Sequence, residues 1–197
     1  MPPKIKFEKE SIVNAAYEIV RKYGWQGLSA RSIAEELKSS TRPIYSHLKS
    51  MNDLEEEVVK KAMELLEEYI RMPRTGDKWL DHGYGYVLFA NREKNLFKAI
   101  FDEKHNHLYK KFSAEIFRKL GEDLADDPGF KDLPEDYQTN MRKVRWVYVH
   151  GMASLLANSF EFDEFKTEEE FADLIRIVDN LLYKGAIAIL NPSERIS

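Results

Sequence analysis

The apolar residues of this 197-residue chain recur at helical spacing, and this periodicity most constrains the fold. In the first segment, Ile12, Ala16, Ile19, Val20 and Tyr23 fall on one face of a predicted helix. No stretch of useful length alternates apolar and polar side chains as a half-buried strand does. The pattern predicts an all-α protein.

Composition excludes several classes of protein. The chain contains no cysteine, which rules out disulfides, thiolate catalysis and cysteine-ligated zinc. No apolar run approaches the roughly 18 residues of a membrane span. The opening segment MPPKIKFEKE lacks the apolar core of a signal peptide. We therefore expect a cytoplasmic protein that makes no membrane contact.

Two short helices joined by a tight turn are predicted after the first helix. Gly24 is a natural helix end, and Ser29 can cap the second helix. Lys38 and Ser39 form the expected turn, and Ser40 or Thr41 caps the third helix. The inward-facing residues are predicted to be Ile33, Ala34 and Leu37 on the second helix and Ile44 and Leu48 on the third.

The outward face of the third helix is polar, as expected of a helix-turn-helix whose second helix enters the DNA major groove. Arg42 can donate two hydrogen bonds to guanine, and Thr41 can meet a thymine methyl. Free N–H groups after Ser29 offer a phosphate site. The alternative is an ordinary solvated helix face. The predicted DNA-contacting residues are Ser29, Arg31, Ser40, Thr41, Arg42, Tyr45, Ser46, His47 and Lys49.

Charge is distributed unevenly along the chain. Residues 1–51 contain nine basic and five acidic residues, whereas the whole chain has a net charge of −4. A basic N-terminal region joined to an acidic remainder favours DNA contact at one end. Chance scatter of surface charge is the alternative.

These N-terminal residues resemble the TetR family of transcriptional regulators over about residues 8–60. The residues that carry the resemblance are Gly24, Leu28, Ile33, Ala34, Ser40, Ile44 to Ser50 and Leu54. Three positions depart from the family pattern. Leu37-Lys38-Ser39 stands where Ala-Gly-Val is usual, Leu48 replaces a common Phe, and Met51 replaces a common Lys.

The resemblance implies a helix-turn-helix DNA-binding domain over residues 1–51. It also implies a helical ligand-binding and dimerisation domain over residues 52–197, in which 52–72 form a connecting helix that begins at Asn52 or Asp53. The expected function is a repressor that binds a double-stranded DNA operator as a homodimer. A small, largely apolar effector would release it, and no cofactor is implied. The further helices are predicted at about 78–92, 95–103, 106–124, 134–160 and 167–190.

Family members form their dimer interface from the last two long helices. Here those helices carry small and apolar residues, and the glycines would allow close helix approach. The alternative is that both helices bury these residues within their own chain. The predicted interface residues are Gly151, Leu155, Leu174, Val178, Leu181 and Gly185.

The middle of the chain, residues 78–124, is rich in aromatic residues, and in the family this region encloses an effector cavity. Ordinary core is the alternative for any single aromatic. Arg142 and Arg145 could receive an anionic group, although we expect both on a solvated helix face. The predicted pocket residues are Tyr86, Phe89, Tyr109, Phe112, Trp146 and His150.

Catalytic and metal sites lack a sequence signal. The pair His105 and His107 is two residues apart, so a helix would place them on different faces, and no metal site is predicted. His82 and His150 are interpreted as structural. No nucleophile elbow, phosphate-binding glycine loop or zinc-protease motif occurs, so we expect no enzyme. Two alternatives remain: a DNA binder of this fold without an effector, and a helical interaction module or enzyme without DNA binding.

Overall fold

The computed structural model describes residues 8–47, 50–127, 131, 133–158 and 167–190. Throughout these ranges every regular element is a helix, which confirms the all-α prediction. None of the described helices is both long and apolar enough to cross a membrane. The α-helices are α1 (Lys9–Tyr23), α2 (Ala30–Glu36), α3 (Arg42–His47), α4 (Met51–Arg71), α5 (Lys78–Arg92), α6 (Lys94–Ile100), α7 (Asn106–Asp123), α8 (Glu135–Ala157) and α9 (Glu168–Leu190).

Packing divides the chain into two compact units. The first unit comprises Met1–Leu65 and Glu93–Ala114, and the second comprises Leu66–Arg92 and Glu115–Ser197. These units are defined by packing alone. They do not test the boundary expected between a DNA-binding domain and a regulatory domain at residues 51 and 52, which stays a prediction.

In the first unit, α1 packs against α2, α3 and α6. Four of the five residues predicted on its inner face are buried, as the periodicity indicated. Tyr23 is the exception, because it lies in the last turn of the helix and 52% of it is exposed. Gly24 then ends the helix with φ 73°, and its N–H donates to the Val20 carbonyl at 2.7 Å.

Helix α2 begins at Ser29, as predicted. The Ser29 hydroxyl accepts from the Ser32 N–H at 3.0 Å, and the Ser32 hydroxyl in turn accepts from the Ser29 N–H at 2.9 Å. This reciprocal arrangement is a capping box in which serine takes the place of the usual glutamate or glutamine. It satisfies backbone donors that the first helical turn leaves free.

The turn after α2 is closed by Lys38 in a left-handed conformation. Its φ is 49°, and its N–H donates to the Glu35 carbonyl at 3.1 Å. The next N–H, from Ser39, donates to the Ala34 carbonyl at 2.8 Å. These two bonds define a Schellman motif, in which glycine is the usual left-handed residue. The turn therefore keeps this geometry with a lysine where glycine is common.

Strain at Lys38 predicts a stabilising substitution. A left-handed non-glycine residue costs roughly 1–2 kcal/mol, whereas the greater unfolded-state freedom of glycine costs about 0.4–1 kcal/mol. Lys38→Gly should therefore raise the free energy of unfolding by up to about 1 kcal/mol. Urea denaturation measures this change, with Lys38→Ala as the control that keeps the Cβ. A Lys38→Gly protein less stable than Lys38→Ala would contradict the assignment.

Most later helix boundaries agree with the sequence predictions. Helix α5 has the predicted ends, and α7, α8 and α9 differ from prediction by at most a few residues. Helix α4 begins earlier than expected, at Met51, because the Ser50 hydroxyl accepts from the Asp53 N–H at 3.2 Å and caps it. The predicted helix 95–103 is instead α6 followed by a separate 3₁₀ turn, Glu103–His105.

In the second unit, α5 packs against both α8 and α9. Position 85 of α5 requires glycine, because a Cβ on Gly85 would overlap the carbonyl oxygen of Tyr69. This close approach brings the last turns of α4 against α5. The buried apolar side chains of α5, α8 and α9 include Val87, Leu88, Phe89, Val149, Ala153 and Ile175.

Candidate functional sites

The outer face of α3 presents polar side chains over a buried anchor. Ile44 is 1% exposed and holds the helix against the first unit. Tyr45, in contrast, is 65% exposed, and Arg42, Ser46 and His47 are also exposed. The division into an inner apolar residue and outer polar residues is the one predicted from the sequence.

The remaining predicted residues of this surface have different surroundings. Ser40 and Thr41 are exposed ahead of α3, and the Ser46 hydroxyl donates to the Pro43 carbonyl at 2.8 Å. On α2, Arg31 is exposed and pairs with Glu35 at 2.9 Å. Both Lys49 and Leu48 lie outside the described residues.

A polar network in the first unit connects α1 and α4 to the segment around α6. Arg21 donates to Glu93 at 2.7 Å, and Trp25 stacks on His105 with 4.3 Å between ring centroids. His105 Nε2 lies 2.8 Å from a Glu55 carboxylate oxygen. Sequence reasoning missed this network, because its partners are 50 or more residues apart and form no local motif. His105 is thus held by carboxylate and indole contacts.

Metal ligands are not assembled anywhere in the described part of the chain, where no group of three or more His, Asp or Glu side chains could hold an ion. His105 and His107 are not on one regular helix as considered above. His105 ends the 3₁₀ turn, and His107 lies in the first turn of α7.

A small pocket of about 90 Å³ lies in the second unit. Two of the predicted pocket residues, Tyr86 and Trp146, line it. His150 joins them, because its Nδ1 lies 2.8 Å from the Tyr86 hydroxyl and its ring stacks on Trp146 at 5.1 Å. The full lining is Ile70, Trp79, His82, Gly83, Tyr86, Phe117, Leu120, Leu124, Arg142, Arg145, Trp146 and Val149.

The other three predicted pocket residues do not line this pocket. Phe89 is fully buried core and makes an edge-on contact with Tyr69 at 5.6 Å. Tyr109 and Phe112 belong to the first compact unit, where Tyr109 packs against Phe101 with 4.9 Å between centroids. Phe89 is therefore an ordinary core residue, which was the alternative considered from the sequence.

Arg145 does not lie on a solvated face, contrary to expectation. It is 4% exposed, and its Nη2 donates to Asp179 at 2.8 Å. The guanidinium also lies 3.9 Å from the Trp79 ring centroid. Gly83 provides the necessary room, because a Cβ there would lie 2.8 Å from the Arg145 Cζ. Arg142 is half-buried and lines the same pocket.

Burial shifts the proton affinities of the groups around Arg145. Desolvation raises the pKa of Asp179 to about 6, against the opposing attraction of Arg145. Desolvation lowers the pKa of His82 to about 4, and the nearby positive charge of Arg145 acts in the same direction. His82 is therefore neutral at pH 7, as a structural histidine is expected to be.

The shifted pKa of His82 predicts how stability changes with pH. The ordinary histidine pKa is 6.5, so the contribution of the neutral buried ring is present above pH 6.5 and is lost as the pH falls towards 4. We expect a loss of about 2–3 kcal/mol from this group over that window. His82→Gln should remove it, as urea unfolding at a series of pH values would measure. Parallel pH profiles for the two proteins would contradict the assignment.

An apolar surface extends along α8 and α9. On α8 it contains Val144, Val147, Gly151 and Leu155, which are exposed and share one face. On α9 the exposed residues at four-residue spacing are Ile177, Leu181, Gly185 and Ile189, beside half-buried Leu174 and Val178. We call these residues the α8–α9 surface. All six predicted interface residues belong to it.

The two glycines of the α8–α9 surface do not pack closely against any described residue. A Cβ at Gly151 or at Gly185 would meet no described atom within 4 Å. Leu174 and Val178 are half-buried within their own chain, whereas Leu181 is 65% exposed. The assignment of these residues to a dimer interface stays a prediction.

The chain matches no protein-family model, and no curated protein is significantly similar to it in sequence.

Proposed function

We propose that this protein is a DNA-binding transcriptional regulator of the TetR type, a repressor that binds its operator as a homodimer. The observation that carries the proposal is the arrangement of α3. Ile44 is buried and anchors this short helix, whereas Arg42, Tyr45, Ser46 and His47 are polar and exposed. A recognition helix needs this division, because its outer side chains must reach base edges and phosphates.

The connection between α2 and α3 supports a helix-turn-helix. Helix α2 is capped at Ser29, and the Schellman motif at Lys38 ends it. Helix α3 then begins at Arg42, only a few residues later. Such a short connection holds the second helix at a defined angle to the first, as groove recognition requires.

Arg42 is the side chain best placed for base recognition. It lies in the first turn of α3, is exposed, and forms no ion pair with any described residue. Its guanidinium therefore keeps a pair of donors for guanine O6 and N7. Arg31 and Tyr45 are exposed donors suited to phosphate contacts that fix the register without reading sequence.

Substitution of Arg42 tests the DNA-binding proposal. Arg42→Ala should weaken binding to the preferred operator by about 1–3 kcal/mol and relax preference at one base position. Arg31→Ala and Lys49→Ala should each weaken binding to all DNA sequences alike. Each should also lower by about one the slope of log affinity against log salt concentration. Fluorescence anisotropy at several salt concentrations would measure both effects.

The matched control for these variants is Lys98→Ala, which removes an exposed positive charge from α6 in the same compact unit. It should leave the affinity and the salt slope near those of the parent protein. If Arg42→Ala keeps the base preference of the parent protein, Arg42 does not read a base.

The α8–α9 surface supports the dimer. Exposed apolar residues on two adjacent helices are costly in water, and a second copy of the same surface would bury them. A twofold dimer also matches the pseudo-palindromic operators that paired recognition helices read, with half-sites about 34–36 Å apart.

A charge placed within this surface tests the dimer. An interface of this kind should bury on the order of 2,000 Å² in total. Leu181→Glu should therefore give a monomer in sedimentation velocity, with loss of binding to a two-half-site operator. Asn180→Glu is the control, because it adds the same charge to an exposed neighbour off the apolar face. A monomeric parent protein at micromolar concentration would contradict the proposal.

We expect an effector in the pocket of the second unit to regulate DNA binding. The dimer would have two conformations that differ in the spacing of its two recognition helices. An effector that binds one conformation more tightly than the other shifts the population towards it. Because this coupling is reciprocal, operator DNA should weaken effector binding by the same factor. The pocket lining, mainly apolar and aromatic, suits a small effector with apolar character.

A further inference from the structure

Two hydrogen-bond donors in the pocket of the second unit lack partners. The Nε of Arg145 and the indole Nε1 of Trp146 are both buried, and neither meets an acceptor among the described residues. Both residues line the pocket. A buried donor without an acceptor costs about 1–3 kcal/mol, so a ligand oxygen that accepts from either donor would recover free energy.

The charge of the pocket indicates what kind of oxygen fits. Arg145 is already compensated by Asp179 at 2.8 Å. Arg142, the second arginine of the lining, donates to no described side chain except the Thr139 hydroxyl, at 3.4 Å. No carboxylate of the described chain lies within ion-pair distance of Arg142. His82 adds no positive charge at neutral pH, since burial keeps it neutral. Among the described residues, the pocket thus carries one positive charge without a counter-ion.

The rest of the lining limits the size of the ligand. Its walls are mostly aliphatic and aromatic, with Trp79, Phe117 and Leu120 among them. The volume of about 90 Å³ is smaller than the roughly 150 Å³ of a cavity known to hold benzene. A short aliphatic chain therefore fits within this volume, whereas a single ring has to extend through the open mouth of the pocket.

We propose that this pocket binds a small apolar monocarboxylate, whose carboxylate accepts from Arg142, Arg145 Nε and Trp146 Nε1. The ligand's role as effector rests on the regulator function proposed above, whereas its binding does not. The larger cleft nearby, of about 520 Å³, is a poor site for such an anion because its lining has four aspartates, Asp77, Asp126, Asp127 and Asp179, against two basic residues, Lys78 and Arg176.

Titration calorimetry on the full chain tests the proposal with two matched probes, benzoate and benzamide. They have the same ring and nearly the same shape, but only benzoate is charged. Because hydrogen bonds to a charged group contribute about 1.5–3 kcal/mol, benzoate should bind at least about tenfold more tightly. Equal affinities, tighter binding of benzylamine, or no benzoate binding up to about 10 mM would each overturn the proposal.

Variants locate the carboxylate within the pocket. Arg142→Gln should remove the roughly tenfold preference for benzoate, whereas Arg142→Lys should keep part of it. Arg118→Gln is the control, since Arg118 is an exposed arginine of α7 that pairs with Glu115 and Glu122 and does not line the pocket. Full benzoate preference in Arg142→Gln would overturn the assigned contact.

Arg145 needs a paired substitution, because removing it alone leaves Asp179 buried without a partner and could unfold the protein. Arg145→Gln combined with Asp179→Asn removes both charges and should weaken benzoate binding by about tenfold or more relative to the parent. Unchanged benzoate affinity in this folded double variant would remove Arg145 from the site.

The two proposals fail separately in these experiments. Benzoate preference in a protein that binds no DNA would support the carboxylate site and contradict the regulator function. Sequence-specific DNA binding without benzoate preference would support the regulator and overturn the carboxylate site.

Discussion

The direction of α3 depends on the turn that Lys38 closes. With Lys38 in the left-handed conformation, the Ser39 N–H reaches the Ala34 carbonyl and ends α2 sharply. The chain then enters α3 so that Ile44 points inward and Tyr45 outward. If α2 continued by another turn, this division of faces would change. The proposed DNA-contacting surface is therefore a consequence of two backbone hydrogen bonds and one strained residue.

The second unit contains a buried ion pair, Arg145 with Asp179, within its apolar core. Burial of Arg145 and Asp179 costs desolvation free energy, which their 2.8 Å bond and the Trp79 ring partly offset. The compensation is incomplete, because Arg145 Nε and one Asp179 oxygen have no described partner. An unsatisfied buried polar group needs an explanation, and the proposed carboxylate ligand would supply an acceptor to Arg145 Nε.

The sequence predicted local features well, because neighbouring residues determine them. Helix periodicity located α5 and α9, and Ser29 and Gly24 marked helix ends. Long-range pairs were not predictable. Arg145 looked solvated because its partner, Asp179, is 34 residues away on another helix. Likewise, nothing local indicated that Tyr109 and Tyr86 belong to different compact units.

DNA binding by α3 is tested most directly by selecting DNA from a random pool with this protein, at low and at physiological salt. We expect enrichment of one pseudo-palindromic sequence, with half-sites about one helical turn apart and a steep salt dependence. Binding without any enriched sequence, or no binding at low salt, would contradict the proposal that α3 reads DNA.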